Sequence, residues 1–194
     1  MRVGLLLFDD VEEMDFAGPL EVFGVASSLT NEVEVTTLSK DGAPIRCRYG
    51  LRVQPEHSFS NCAPLDLLII PGGRGARERA MRDSETLRFI RTQSSKAHVA
   101  SVCTGALVLA EAGLLDGHRA TTHHEYLEAL RRYPKIEVIS GVRYISEESV
   151  SSSAGISAGI DLALEIVRKN FGEELVTKIR QQMEYRHDPQ AQGE

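Results

Sequence analysis

Cys103 is the residue around which chemistry could be organised. The short apolar run Val99-Ala100-Ser101-Val102 breaks at Cys103, and the small-residue stretch Thr104-Gly105-Ala106-Leu107 follows at once. A cysteine at a strand-to-helix turn stands at the top of a sheet, beside helix-opening amides that favour thiolate. Cysteine is also a small residue that fills buried space, and position alone leaves both readings open. Ser101 and Gly105 on either side relieve the crowding of a tight strand–turn–helix.

Three further groups could serve such a thiol. Gly72-Gly73 follows an apolar run, so its backbone N–H groups could join that of Thr104 in an oxyanion pocket, or simply form a tight turn. The acidic run Asp9, Asp10, Glu12, Glu13 and Asp15 reads as a solvated loop, with Asp15 placed to cap the next helix. An acid from this run set against the sulfur would have to stay protonated or hydrogen-bonded, which would make it a proton donor at neutral pH. His123 and His124 could supply a base or ion-pair partner; on a helix they diverge, so one at most serves. His57, His98, His118 and His187 have no metal-ligand spacing, and neither metal nor cofactor is expected.

These groups need elements to hold them. RVGLLLF (2–8), LDLLIIPGGRG (65–75) and His98 to Val102 read as strands covered on both faces, and NEVEVTTLS (31–39) as a half-exposed one. Residues 41–64 carry turn formers and short β-like pieces. Helical spacing runs from Asp15 to about Leu29, with Pro19 tolerable in the first turn, and from Ser84 to about Ser95. It recurs over Thr104–Ala112, His123–Arg132 and 155–172, while IEVIS, VRYIS and SVSSS (136–153) read as strands. Strands alternating with helices imply an α/β three-layer sandwich, a mostly parallel central sheet with helices on both faces. Ligands in such folds sit at the carboxyl ends of the strands, where the acidic run, Gly72-Gly73 and Cys103 all fall.

Composition narrows the function classes. The 194 residues (1–194) are read as one domain, and the polar tail 187–194 as frayed. A net charge of −6, from 22 basic and 28 acidic residues, gives no footprint for nucleic acid and no basic surface for a membrane. Three cysteines without a close pair point to a reducing cytoplasm. The opening apolar run is too short for a signal peptide or membrane span.

Taken together, GLLLFDDVEEMDFAGPLEVF, LDLLIIPGGRGARE, VASVCTGALVLAEAGLLDGHRATTHHEYLEAL and SAGISAGIDLALEIV resemble the ThiJ/PfpI superfamily. That superfamily is a branch of the class I glutamine amidotransferase-like fold, so the resemblance implies a flavodoxin-like sheet with a nucleophile-elbow cysteine. The chain is most similar to isocyanide hydratases and to the ligand-binding domains of AraC-type regulators. Carried over by motif, Cys103 is the nucleophile and Asp15 in MDFAGP the acid. Thr104 contacts the reacting group, Gly72 and Gly73 line the pocket with amides, and His123 and His124 shape it. The resemblance implies hydration of an isocyanide to an N-substituted formamide, by a homodimer with an apolar, polar-rimmed pocket for a small-molecule substrate. Two alternatives stand beside it: redox or electrophile sensing by the same thiol, and a glyoxalase or deglycase activity. Thr104 stands where those last members often carry a His, and His124 where hydratases tend to carry a Trp.

Overall fold

The computed structural model describes residues 1–186; the tail expected to fray lies outside them from 187 onward. Its centre is a seven-stranded sheet. Strands β1 (Arg2–Leu6), β2 (Glu34–Ser39), β6 (Leu67–Ile70) and β7 (His98–Val102) run parallel beside one another. β5 (His57–Ser58) extends one edge, β11 (Val150–Ser153) pairs parallel to β7, and β10 (Tyr144–Ser146) closes the other edge antiparallel. The order β10-β11-β7-β6-β1-β2-β5 is the parallel α/β sheet expected from the alternation of elements. Two small ribbons lie outside it: the antiparallel pair β3 (Ile45–Arg46) and β4 (Arg52–Val53), and the parallel pair β8 (Arg119–Ala120) and β9 (Glu137–Val138).

Helices cover both faces, which is why the central strands are apolar without alternation. Val3, Leu5, Leu67, Ile69, Ala100 and Val102 face α1 (Glu13–Thr30), α6 (Ala158–Phe171) and α7 (Glu173–Gln182). Leu6, Leu68, Ile70 and Val99 face the other layer, with α3 (Ser84–Ser94), α4 (Gly105–Glu111) and the single turn α5 (Leu127–Leu130). α2 (Arg74–Glu78) packs at the end of that layer nearest Cys103. Close helix packing depends on glycine: a Cβ at Gly18 of α1 would lie 2.9 Å from Ile160 Cγ1 on α6. Among the described residues no helix is long and apolar enough to cross a membrane.

Three local expectations are corrected. α1 begins at Glu13, so Asp15 lies inside the helix and does not cap it, and Pro19 falls in the second turn. With no N–H on Pro19, the Asp15 carbonyl loses its helical partner. The segment after His123 is a 3₁₀ turn (His124–Tyr126) followed by α5, and not a helix through Arg132. There the imidazole Nδ1 of His123 accepts the amide of Glu125 at 3.3 Å, and this side-chain cap fixes a tight turn. The sequence reading also passed over α2 and α7.

Candidate active site

Cys103 occupies the turn between β7 and α4 with φ of +57°, a left-handed conformation that costs a non-glycine residue energy. The surroundings enforce it. The Cys103 amide is shared between the carbonyls of Ser153 and Ala154, each at 3.2 Å, and its own carbonyl accepts the buried Thr122 hydroxyl at 2.7 Å. α4 then starts hard against the end of β6: a Cβ at Gly105 would lie 2.0 Å from the Ile70 carbonyl oxygen. The sequence therefore builds a strained elbow that only glycine at 105 can follow.

The acidic run divides on folding. Asp9 accepts the Arg46 amide at 2.8 Å, Asp10 pairs with Arg79, and Glu13 accepts the Tyr49 amide at 2.7 Å. Glu12 is nearly buried and pairs with Arg48 at 2.7 Å. Asp15 alone goes to the thiol. It is 0% exposed, its Oδ2 accepts the Gly72 amide at 3.0 Å, and its Oδ1 is buried with no hydrogen-bond partner, beside the Cys103 thiol. Burial pushes the Asp15 carboxyl up to about 7, against the opposing hydrogen bond from Gly72 and the nearby Cys103 thiol. It therefore carries a proton well into the neutral range.

The same burial acts on sulfur. Cys103 is 6% exposed, and burial followed by the negative charge of Asp15 pushes its thiol up, opposed by the Thr104 amide. The thiolate-favouring effect of the helix start is thus overridden: Cys103 rests as a thiol beside a carboxylic acid. The groups that act on it are Asp15 and Thr104, and no histidine is among them.

Gly72 and Gly73 also depart from expectation. The Gly72 amide is spent on Asp15, and the Gly73 amide on Thr104 Oγ1 at 3.0 Å. They aim the acid and lock the elbow, and offer no free donors to an oxyanion. Gly73 has φ of +115°, and a Cβ there would lie 2.5 Å from the Glu12 amide nitrogen, so the Gly-Gly loop sits directly on the acidic loop. The two loops are joined by the amide of Glu12 donating to the Gly72 carbonyl at 3.1 Å.

The thiol opens into a small cavity of about 70 Å³ lined by Glu12, Arg48, Arg77, His123, Glu125, Tyr126 and Ile156, with Gly73 of the expected pair in its wall and Gly72 outside it. It is charged and polar, where an apolar pocket with a polar rim was expected. His123 and His124 stack, with ring centroids 4.4 Å apart, and do not diverge. His123 lines the cavity, whereas His124 is exposed and takes no part in it. Burial, then the positive charges of His124 and Arg77, hold His123 below its ordinary value, so it is neutral at pH 7. Arg48, Arg77, Thr122, Tyr126 and Ile156 were not singled out from sequence. Thr122 lay within the RATTH motif, but nothing in its spacing told of the Cys103 carbonyl.

Residues 1–169 match the DJ-1/PfpI family. The chain belongs to that family. It is 38% identical over 190 residues to the isonitrile hydratase of Pseudomonas putida, covering 97% of this chain and 80% of that protein. It is 29% identical over 187 residues to the HTH-type transcriptional regulator GbdR of Pseudomonas aeruginosa, covering 94% of this chain and only half (50%) of the regulator. A THiJ/PfpI family protein from Pseudomonas syringae has a crystal structure that superposes with a TM-score of 0.88 at 30% identity. That match covers 97% of this chain and 76% of the other.

Proposed function

We propose that this DJ-1/PfpI-family chain is a cysteine-dependent hydratase that adds water to an isocyanide and releases an N-substituted formamide. The observation that carries the reading is the burial of the Cys103 thiol beside the fully buried Asp15, whose carboxyl is held by the Gly72 amide and pushed up to about 7. Similarity to the isonitrile hydratase supports it.

The terminal carbon of an isocyanide has a lone pair and is also open to nucleophiles, so it needs a proton and a sulfur at one point. Asp15 gives its proton to that carbon as Cys103 Sγ bonds to it, and the thiol proton passes to the carboxylate. The product is a thioimidate, S–CH=N–R, and Asp15 is again protonated. Because proton and sulfur move together, a thiol held up by burial needs no prior ionisation. Water then adds to the carbon of the C=N bond, nitrogen takes a proton, and the C–S bond breaks with a proton returned to sulfur. R–NH–CHO leaves. Thr104 stands beside the reacting sulfur, Gly72 and Gly73 hold Asp15 and Thr104 in place, and His123 borders the substrate as a neutral ring.

A redox- or electrophile-sensing role would use the same thiol, but sensing calls for an exposed thiolate. Burial and the raised thiol weigh against that role. On this reading the chain is a single-domain homodimer in a reducing cytoplasm, consistent with Cys47, Cys62 and Cys103 all being free. The test is formamide formation from a simple alkyl isocyanide, wild type beside Cys103→Ala. Cysteine-dependent formamide supports the hydratase; fast stoichiometric modification of Cys103 without turnover moves sensing to first place.

A further inference from the structure

The cavity over Cys103 contains a cation with no carboxylate partner among the described residues. Of its two arginines, Arg48 forms an ion pair with Glu12 at 2.7 Å. Arg77 is bound differently. Its Nη1 donates to the Gly73 carbonyl at 3.0 Å and, more weakly, to Thr104 Oγ1 at 3.4 Å. Its guanidinium carbon lies 4.5 Å from the centre of the Tyr126 ring. Among the described residues no carboxylate pairs with it.

These contacts hold the guanidinium without cancelling its charge. A carbonyl and an aromatic face fix the plane, and the remaining N–H groups of the fork are left for a ligand. Tyr126, which supports Arg77, also lines the cavity, so the cation and Cys103 share one wall. Two acids could oppose an anion here. Glu12 is already paired, and Glu125 is largely exposed to water, where its charge is screened. The buried Asp15 beneath is uncharged up to about pH 7. A volume of about 70 Å³ admits a few heavy atoms, enough for a reacting group and a small anionic substituent beside it.

We propose that Arg77 is the anion-recognising residue of this pocket, and that the substrate bears a carboxylate or similarly small anionic group close to its electrophilic carbon. The electrophile rests on the hydratase reading, but the anion site does not. An isocyano-carboxylate would place its carboxylate on the guanidinium and its terminal carbon between Cys103 and Asp15. The atoms of the hydration are unchanged; the carboxylate takes no part in bond making.

The test separates the two ideas. Iodoacetate and iodoacetamide have nearly the same size and transfer a carboxymethyl or carbamoylmethyl group to sulfur, forming C–S, expelling iodide and releasing the thiol proton. Their rates at Cys103, followed by mass spectrometry of its peptide in a Cys62→Ser background, give an anion-to-neutral ratio, compared with glutathione under the same conditions. The expected ratio exceeds that of glutathione by about tenfold or more, the scale of a charge-assisted hydrogen bond, and collapses in Arg77→Met. Arg77→Lys keeps part of it, and added salt lowers it in the wild type. Isocyanoacetate beside its methyl ester then gives the same ratio in formamide production. A wild-type alkylation ratio no higher than that of glutathione, or one unchanged in Arg77→Met, overturns the anion site. If Arg77→Met does not fold, the wild-type ratio, its salt dependence and Arg77→Lys decide. An Arg77-dependent ratio with neither isocyanide hydrated keeps the anion site and refutes the hydratase.

Discussion

The amide of Gly72 donates to Asp15 Oδ2 at 3.0 Å, joining residues 57 apart in sequence. That bond orients a helix residue that burial, working against it, makes a proton donor. It holds one carboxyl oxygen still while Asp15 meets Cys103, and it puts the second glycine of the pair where its amide locks Thr104. Two loops and one helix thus agree on where a single proton sits.

Asp15→Asn keeps the shape and the Gly72 contact but cannot transfer the proton. Turnover is expected to fall by ~10²–10⁴-fold, the usual worth of a positioned acid, with far-UV circular dichroism unchanged. Wild-type kcat/KM should decline as pH rises through about 7, where Asp15 loses its proton. A profile flat through that region, or an Asn variant as fast as wild type, contradicts the role.

Stability should register the same proton. Burial raises Asp15 from 3.8 in the unfolded chain to about 7 in the folded one. Between those values the folded chain binds a proton that the unfolded chain has lost, so stability falls as pH rises across the window. The loss is complete above about 7. Asparagine does not titrate, so Asp15→Asn should gain stability relative to wild type on going from about pH 4 to about pH 8. Urea melts at the two pH values read the difference; an offset independent of pH refutes it.

The fold was readable because buried parallel strands have an unmistakable pattern. Leu67 to Ile70 is apolar throughout and gives way to Pro71-Gly72-Gly73, and Val99 to Val102 is apolar but for the small Ser101. Cys103 and Asp15 could be named, by position and by resemblance. Their electrostatics could not, because the helix start and the burial act on sulfur in opposite directions and only packing decides between them. The Gly72 and Gly73 amides were misread for a similar reason: a glycine announces that its backbone can approach a partner, not which partner takes it. His124 was misplaced because a 3₁₀ turn was read as a helix, which changes the direction of the rings and leaves only His123 at the cavity. Arg77, through Thr104 and Tyr126, and Thr122, through Cys103, act through contacts between distant segments that leave no local pattern.

Thr122 is predicted to position the elbow through its 2.7 Å bond to the Cys103 carbonyl. Thr122→Val leaves that carbonyl only the longer bond from the Ala106 amide at 3.3 Å and should cost ~1 kcal/mol in urea unfolding. It should also lower kcat more than it raises KM, and Thr122→Ser should restore both. A Val variant matching wild type in stability and kcat removes Thr122 from the account.

The glycine that opens α4 and the one just beyond its end should differ sharply. Gly105→Ala sets a methyl 2.0 Å from the Ile70 carbonyl oxygen and is expected to cost on the order of 4 kcal/mol or more. Gly113→Ala, just after the helix, meets nothing within 4 Å and carries only the strain of φ +76°, ~1–2 kcal/mol. Equal losses in the two variants would mean that the close approach of α4 to β6 is not what sets the elbow.

The most direct test is the intermediate itself. Rapid acid quench of the wild-type enzyme with an alkyl isocyanide, followed by peptide mass analysis, should find the mass of one whole isocyanide added at Cys103. That adduct should form and decay no slower than formamide appears. Formamide produced at full rate with no such adduct, or produced by Cys103→Ala, would contradict covalent hydration by Cys103.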